Sequence, residues 1–335
     1  MDSVRYGVIG LGFFGEMHAQ VLSNMLGANL AAICTRRPDH LRDLAERYNV
    51  PNTYTDYHDL LHDDSVEAVS IVTHVNDHRN IAIDALNAGK SVFLEKPMAG
   101  SIEDCDAIID AAKSAAGKFM VGHICRFDPR VNMAKSAIDE GRIGQIVSMH
   151  ARRNLPAHIG AEVLDKISPL MGDGIHDVDL MLWMTGGRVE SVYAQNVRIR
   201  KFKYPDISWA MCRFEGGIVG VIETAWCLPN STPFDVDAKM EVIGTKGAVY
   251  IDCGETGLTI NYDSGTRKPD TSYWPLVAGK RTGALRNELE YFVGCVKTGQ
   301  TPDIITPRES RMAVKVICAA ERSAETNEVV KMQTD

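Results

Sequence analysis

The sequence lacks features that mark several specialised classes of protein. None of its 8 cysteines stands in C-x-x-C spacing, which argues against a zinc ribbon or a thioredoxin-type redox site. No apolar run approaches the roughly 18 residues that span a bilayer. The first residues show neither the basic nor the apolar region of a signal peptide. We therefore expect free thiols, a cytoplasmic location and no membrane association.

An excess of positive charge is also missing. The 335 residues contain 44 acidic and 36 basic side chains, for a net charge of −8. Such a chain has no general attraction to nucleic acid or anionic lipid, so the expected partner is a small molecule. At roughly 100–200 residues per domain, the length predicts about two domains.

Short apolar runs alternate with helical patterns through the first 120 or so residues. The runs predicted as strands are Tyr6–Ile9, Asn29–Cys34, Ala68–Thr73, Ser91–Leu94 and Phe119–Val121. This alternation predicts an α/β domain with a doubly wound parallel sheet, covered on both faces by helices.

The pattern changes after residue 122. Two helical stretches are followed by strand-like runs between Val189 and Tyr262, and two further helices end the chain. The order predicts an α+β domain with an open, mainly antiparallel sheet. We place the boundary at Gly122, which gives domains of residues 1–122 and 123–335.

A G-x-G-x-x-G motif, Gly10, Gly12 and Gly15, follows the first strand and opens the first helix. In such a loop the first glycine allows a tight turn, the second lets a pyrophosphate approach the backbone, and the third lets helix and strand pack closely. The helix N-terminus favours the anion. The motif, with Phe13 and Phe14 inside it, predicts a Rossmann domain that binds NAD(P).

The end of the second strand bears on which dinucleotide binds. An NAD site usually has an acidic residue about 20 residues beyond the motif, but this chain has Thr35, Arg36 and Arg37 there. Thr35 offers a hydrogen bond to a 2′-oxygen, and the arginines can pair with a 2′-phosphate. NADP is slightly favoured over NAD, although such arginines can also be solvated.

Glu95 and Lys96 stand at the carboxyl end of a predicted strand, the edge where open parallel sheets bind ligands. A lysine there is a candidate acid–base group, since burial or a cationic cofactor ring lowers its pKa. Glu95 is a candidate to hold its ammonium in position. A surface ion pair is the alternative.

Several motifs together resemble the Gfo/Idh/MocA oxidoreductases over almost the whole chain. They are the glycine motif, Thr73-His74-Val75-Asn76-Asp77-His78, Glu95-Lys96-Pro97 and Gly174-x-His176-Asp177-x-Asp179. The resemblance implies an NAD- or NADP-binding first domain and a second domain whose sheet covers the nicotinamide and often serves in oligomerisation. It implies a carbohydrate-like substrate and a homo-oligomer, dimer or tetramer.

The resemblance also implies roles for single residues. Lys96 corresponds to the catalytic lysine and His176 to the catalytic histidine. Many relatives carry an aspartate four residues before the histidine, where this chain has Gly172. Asp173, the next residue, is the candidate for that role, and whether it takes it is left open. Cofactor contacts are expected from Thr73, His74, Asn76, His78, Glu95 and Lys96. His74 departs from the family, which commonly has proline there.

Further candidates for substrate contact are His123, Arg126 and Arg153, together with Lys96, Asp173 and His176. For His123 and Arg126 a structural role is an equal alternative, and for Arg153 a solvated strand end is one. No ligand cluster predicts a metal site, and no G-x-S-x-G element predicts a serine hydrolase.

The sequence thus predicts an NAD(P)-dependent oxidoreductase that interconverts a secondary alcohol and a ketone on a sugar, sugar derivative or cyclitol by hydride transfer. Two alternatives remain open. One is a non-catalytic NAD(P)-binding regulator, and the other is an enzyme whose tightly bound NAD is reduced and reoxidised within each turnover.

Overall fold

The computed structural model describes residues 3–333, and the chain divides into two compact units. The first contains the residues up to Phe127 together with Tyr273–Arg311. The second contains Asp128–Ser272 and the residues from Met312 onward. The sequence-based boundary at Gly122 differs from this division, because it assigns all of the later chain to the second domain.

The physical reason for the difference lies in one helix, Ala284–Thr298. Its Phe292 ring stands edge-on to Tyr6 at 6.4 Å and to Phe93 at 5.7 Å between ring centres. All three side chains are buried. The helix therefore completes the core beneath the first sheet, although it follows most of the second unit in the sequence.

The described elements follow one another along the chain in a regular order. They are β1 (Val4–Ile9), α1 (Phe13–Ser23), β2 (Ala28–Cys34), α2 (Pro38–Tyr48), β3 (Asn52–Tyr54), α3 (Tyr57–Leu61), β4 (Ala68–Ile71), α4 (Val75–Asn87), β5 (Ser91–Glu95), α5 (Ile102–Ser114), β6 (Phe119–Gly122), α6 (Pro129–Asp139), β7 (Ile146–Asn154), α7 (Ala157–Ala161), α8 (Ile175–Thr185), β8 (Val189–Val197), β9 (Ile207–Phe214), β10 (Val219–Ala225), β11 (Asp237–Gly244), β12 (Ala248–Asp252), β13 (Ile260–Tyr262), β14 (Gly265–Arg267), β15 (Leu276–Val277), β16 (Lys280–Arg281), α9 (Ala284–Thr298), α10 (Pro307–Thr326) and β17 (Val330–Lys331).

The first unit holds a six-stranded sheet in the order β3-β2-β1-β4-β5-β6, and its paired strands are parallel. Every residue of β4 and β5 is buried, as expected for strands covered on both faces. The predicted doubly wound domain is confirmed. The strand order reverses between β1 and β4, which is where such sheets open a crevice for a ligand at the carboxyl ends.

The second unit holds a seven-stranded sheet in the order β12-β11-β7-β10-β9-β8-β17. Its pairs are antiparallel except for β7 with β10, and α8 packs against both of these strands. This confirms the predicted open, mainly antiparallel sheet. The sequence did not predict β7, since two of its buried residues, Arg153 and Asn154, are polar and obscure the apolar pattern.

Within residues 3–333 no helix has the length and apolarity that crossing a membrane requires.

Arg126 is among the largest fully buried side chains. It lies in a turn of 3-10 helix, Ile124–Phe127, and donates to the Ile304 carbonyl at 2.7 Å and to Glu309 Oε1 at 2.8 Å. Glu309 also accepts from the Thr306 backbone N–H, while its own N–H donates to the Thr306 hydroxyl. This capping box starts α10, and it anchors Arg126 inside the first unit.

Glu309→Ala should lower the free energy of unfolding by about 2 kcal/mol near neutral pH. Loss of a partner from a fully buried pair costs about 3–5 kcal/mol, and the Glu309 side chain is 35% exposed. Burial raises the Glu309 pKa, but Arg126 and Thr306 outweigh it and hold this pKa below its usual value. The contribution is therefore present above the unfolded pKa of about 4.3 and disappears as pH falls through the lower folded pKa.

Denaturant titrations of the wild type and of Glu309→Ala across the acidic range measure this difference. Glu325→Ala, at the exposed end of the same helix, is the matched control. Equal losses for the two variants, or a Glu309 effect that grows as pH falls, would contradict the assignment.

Candidate active site

The glycine motif forms the connection from β1 to α1. Gly10 has φ of 91°, and a Cβ on Gly15 would lie 1.8 Å from the Gly10 carbonyl oxygen. Only glycine therefore lets α1 approach the end of β1 so closely. A Cβ on Gly12 would meet nothing within 4 Å, so the backbone there is open to a ligand.

The same loop has the electrostatics of an anion site. Gly12 caps α1 and supplies no side-chain hydrogen bond to the first turn, so the amide groups of that turn point outward without a side-chain acceptor from the cap. Thr73, at the neighbouring end of β4, has a buried Oγ1 with no hydrogen-bond partner. The open backbone at Gly12, the helix start without a side-chain cap and the unpartnered Thr73 hydroxyl fit the pyrophosphate and ribose of a dinucleotide.

The two arginines after β2 are placed differently. The Arg37 Nη2 donates to the Leu11 carbonyl at 2.6 Å, and the same carbonyl lies 3.0 Å from His40 Nε2. Arg37 thus braces the glycine loop. Arg36 is 85% exposed and lies 3.9 Å from Asp77, and Thr35 lies between it and the strand. His40 is a loop-bracing residue that sequence reasoning missed.

Among the predicted residues of the α4 region, two are exposed and one is buried. His74 caps α4 without a side-chain hydrogen bond, and it is exposed, as is Asn76. His78 is buried, with Nδ1 at 2.9 Å from the Pro97 carbonyl and Nε2 at 3.2 Å from that of Thr73. Burial lowers the His78 pKa. His78 therefore ties the end of β4 to the Lys96-Pro97 turn, while His74 and Asn76 face solvent.

The strand β5, which lies beside β4 in the sheet, ends at Glu95, and Lys96 follows directly. Glu95 is 5% exposed, and its Oε2 accepts from the backbone N–H of Lys96 at 3.2 Å. Its other oxygen, Oε1, lies 3.1 Å from Nε2 of His18 on α1. The carboxylate therefore fixes the backbone of the lysine, a contact different from the ammonium pairing that the sequence suggested.

His18 was missed by sequence reasoning. It shares the buried stripe of α1 with Gly15, Ala19 and Leu22, a helical spacing that predicts apolar residues. The sequence did contain a signal for His18, namely a titratable side chain at a position of the apolar stripe. Such a side chain is buried and therefore requires a polar partner.

Two candidates of the first unit lie in its interior. Arg126 is held by Glu309 as described above, which matches the structural role that the sequence left open. His123 is 1% exposed and directly follows β6.

Asp173 and His176 belong to the second unit. Asp173 lies in a π-helical turn, Leu170–Gly174, that leads into α8, and His176 lies in the first turn of α8 with 6% exposure. The indole Nε1 of Trp226 donates to Asp173 Oδ2 at 2.8 Å. A Cβ on Gly172 would lie 2.6 Å from the same indole ring. The ring therefore excludes an aspartate from position 172 and holds the one at position 173.

Arg153 is buried and donates to Asp177 Oδ1 at 2.9 Å. Burial raises the Asp177 pKa, and the attraction of Arg153 opposes that rise. Arg152 pairs with Asp237 at 2.9 Å. The alternative of a solvated strand end is therefore wrong for Arg153. Both arginines form ion pairs in the second unit.

Across residues 3–333 no three side chains of His, Cys, Asp or Glu type are grouped to hold a metal ion.

Two family models match the chain. Residues 4–123 match the oxidoreductase family, NAD-binding Rossmann fold, of the GFO/IDH/MocA group, and residues 131–250 match the GFO/IDH/MocA C-terminal domain. Myo-inositol 2-dehydrogenase of Thermotoga maritima is 30% identical over 98% of this chain and 99% of its own. The scyllo-inositol 2-dehydrogenase (NAD(+)) of Bacillus subtilis is 27% identical over 96% and 94%.

Solved structures agree with this match. The myo-inositol 2-dehydrogenase from Lactobacillus plantarum superposes with a TM-score of 0.87 at 26% identity, over 99% of this chain and 100% of that one. A probable dehydrogenase from Thermotoga maritima gives 0.83 at 30% identity, over 98% and 99%. The chain belongs to the Gfo/Idh/MocA oxidoreductase family. It is an NAD(P)-dependent dehydrogenase that acts on CH–OH groups.

Gly12→Val should abolish cofactor binding without changing the thermal stability of the protein alone, because the added side chain enters open space that the pyrophosphate needs. Gly15→Ala should instead lower the melting temperature, because its Cβ would meet the Gly10 carbonyl. Thermal melts with and without NAD(P) separate the two effects. Normal cofactor-induced stabilisation of Gly12→Val would contradict this reading of the loop.

Proposed function

We propose that the substrate is a cyclitol or a closely related polyhydroxylated ring, oxidised at a secondary hydroxyl or formed by reduction of the corresponding ketone. The observation that carries the proposal is Lys96 at the carboxyl end of β5, on the same sheet edge as the glycine loop. The relatives named as inositol dehydrogenases, which match this chain over almost its full length, support the substrate class.

Bound NAD(P) supplies the hydride chemistry. Lys96 removes the proton of the reacting hydroxyl during oxidation and returns it during reduction. The Glu95 carboxylate holds the lysine backbone, so the long side chain starts from a fixed point. The side chain itself is partly buried, next to buried Pro97 and Met98.

For His176, in the second unit, we propose a hydrogen-bonding or proton-relay role. Asp173 is the proposed orienting carboxylate, held by Trp226. This orientation is the usual role of an acidic partner next to a functional imidazole. The expected substrate contacts of His123 and Arg153 remain predictions.

Two further proposals concern assembly and location. Trp209 and Met211 of β9 are exposed on one face of the second sheet, and Tyr250 of β12 is 71% exposed. This apolar surface supports the predicted homo-oligomer. The cytoplasmic location also remains a prediction.

Lys96→Met should reduce turnover at least ~10²-fold, the low end for positioned acid–base catalysis. Cofactor affinity should stay within about twofold, since the backbone that meets the dinucleotide is unchanged. Initial rates with myo-inositol and scyllo-inositol, together with cofactor titrations, measure both quantities. Near-normal turnover by this variant would overturn the assignment of the base.

The cofactor preference depends on Arg36, because Arg37 is engaged with the Leu11 carbonyl. We propose that Arg36 pairs with the 2′-phosphate of NADP, which makes NADP the preferred dinucleotide. Arg36→Ala should then weaken NADP binding by about tenfold, as for loss of a charge-assisted hydrogen bond of about 1.5 kcal/mol. NAD binding should change little.

Titrations of wild type and variant with NAD and NADP test this preference. The control for a general loss of positive charge is Arg42→Ala, which removes an exposed arginine of α2. A wild type that NAD stabilises strongly and NADP does not would overturn the proposal.

A further inference from the structure

His18 is a titratable side chain with no role in the proposed chemistry, yet it lies fully buried in the first unit. Both ring nitrogens face side-chain oxygens: Nε2 lies 3.1 Å from Glu95 Oε1, and Nδ1 lies 3.2 Å from Ser70 Oγ. The ring is enclosed edge-on by Phe14 and Phe93, with ring centres 5.2 and 5.5 Å away. The imidazole is therefore held in one orientation.

Glu95 depends on this imidazole. A buried carboxylate is costly unless hydrogen-bond donors compensate for lost water. The donors that contact Glu95 here are the Lys96 backbone N–H at one oxygen and the His18 ring at the other. On β6 a Cβ at Gly122 would lie 2.9 Å from Oε1, so glycine leaves just enough room for the carboxylate in this position.

The far side of the ring also has polar neighbours. The Ser70 hydroxyl, on β4, donates to the Tyr6 hydroxyl at 3.2 Å, and its oxygen lies 3.2 Å from Nδ1 of His18. Burial raises the Tyr6 pKa, which keeps this phenol protonated. Through its two ring nitrogens His18 therefore links Ser70 on β4 to Glu95 on β5.

We propose that His18 is a positioning residue for Lys96, acting through Glu95. It lies on the helix whose N-terminus forms the dinucleotide loop, and it contacts the carboxylate that holds the lysine backbone. The contact between His18 and Glu95 therefore sets the distance between the dinucleotide-binding loop and the catalytic lysine. This inference rests on the proposed role of Lys96 as the base.

The test compares two amide substitutions of similar polarity in the full-length protein. The amide of His18→Gln reaches the place of Nε2 and keeps a donor to Glu95. The amide of His18→Asn reaches only the place of Nδ1 and keeps the contact with Ser70. Initial rates with NAD(P) and inositol give kcat and KM for each variant, and cofactor titrations give Kd.

We expect His18→Asn to lower kcat by about tenfold or more, since misplacement of a reacting group by about 1 Å costs up to ~10²-fold. Its cofactor Kd should stay within about twofold of the wild type. His18→Gln should recover most of kcat. A merely structural role predicts that both variants lose stability and active protein alike, with no difference in kcat per folded molecule.

The outcomes separate this inference from the proposed function. A wild type without turnover, or a Lys96→Met variant that remains active, would overturn the proposed function. An active wild type, an inactive Lys96→Met variant and equal kcat values for His18→Gln and His18→Asn would overturn the role of His18 alone. If His18→Asn fails to fold, Glu95→Gln gives the same comparison, and a kcat close to the wild type would overturn the inference.

Discussion

The close approach of α1 to the end of β1 is the constraint on which the first unit depends. It exists because residue 15 has no side chain where a Cβ would stand 1.8 Å from the Gly10 carbonyl oxygen. The approach directs the first turn of α1 at the loop and places His18 against Glu95, about one turn further along the helix. One steric condition thus sets both the dinucleotide loop and the environment of Lys96.

The second unit uses a different device for its candidate residues. Trp226 is 2% exposed, and its backbone N–H donates to the Asp206 carbonyl while its carbonyl accepts from Arg200. Its indole then donates to Asp173 and occupies the space beside Gly172. The indole therefore excludes a larger side chain from position 172, and a carboxylate is present at the next position, 173.

Much of the fold follows from local pattern. The buried strands of the first sheet and the glycine motif were predicted because their periodicity and spacing are short-range properties of the chain. Strand β7 was not predicted, because two of its buried residues, Arg153 and Asn154, are polar and obscure the apolar pattern. The return of Tyr273–Arg311 to the first unit depends on long-range packing of Phe292, which no local pattern reveals.

The candidate site divides in the same way. Lys96 and His176 could be named from motifs, and the resemblance to one family placed both. The side chains that hold Glu95 and Asp173 could not be named, since His18 is 77 positions from Glu95 and Trp226 is 53 positions from Asp173. Three arginines near motifs differ from Lys96 and His176, because each forms an ion pair within its own unit. They are Arg126, Arg152 and Arg153.

The proposed reaction transfers a hydride from a ring carbon of a cyclitol to NAD(P), and it depends on Lys96. Incubation of the protein with inositol deuterated at its ring carbons and with oxidised cofactor, followed by mass spectrometry of the cofactor, measures this directly. We expect reduced cofactor that carries one deuterium with the wild type, and at least ~10²-fold slower formation of this product with Lys96→Met. Cofactor that binds but remains unlabelled with each inositol isomer would contradict it.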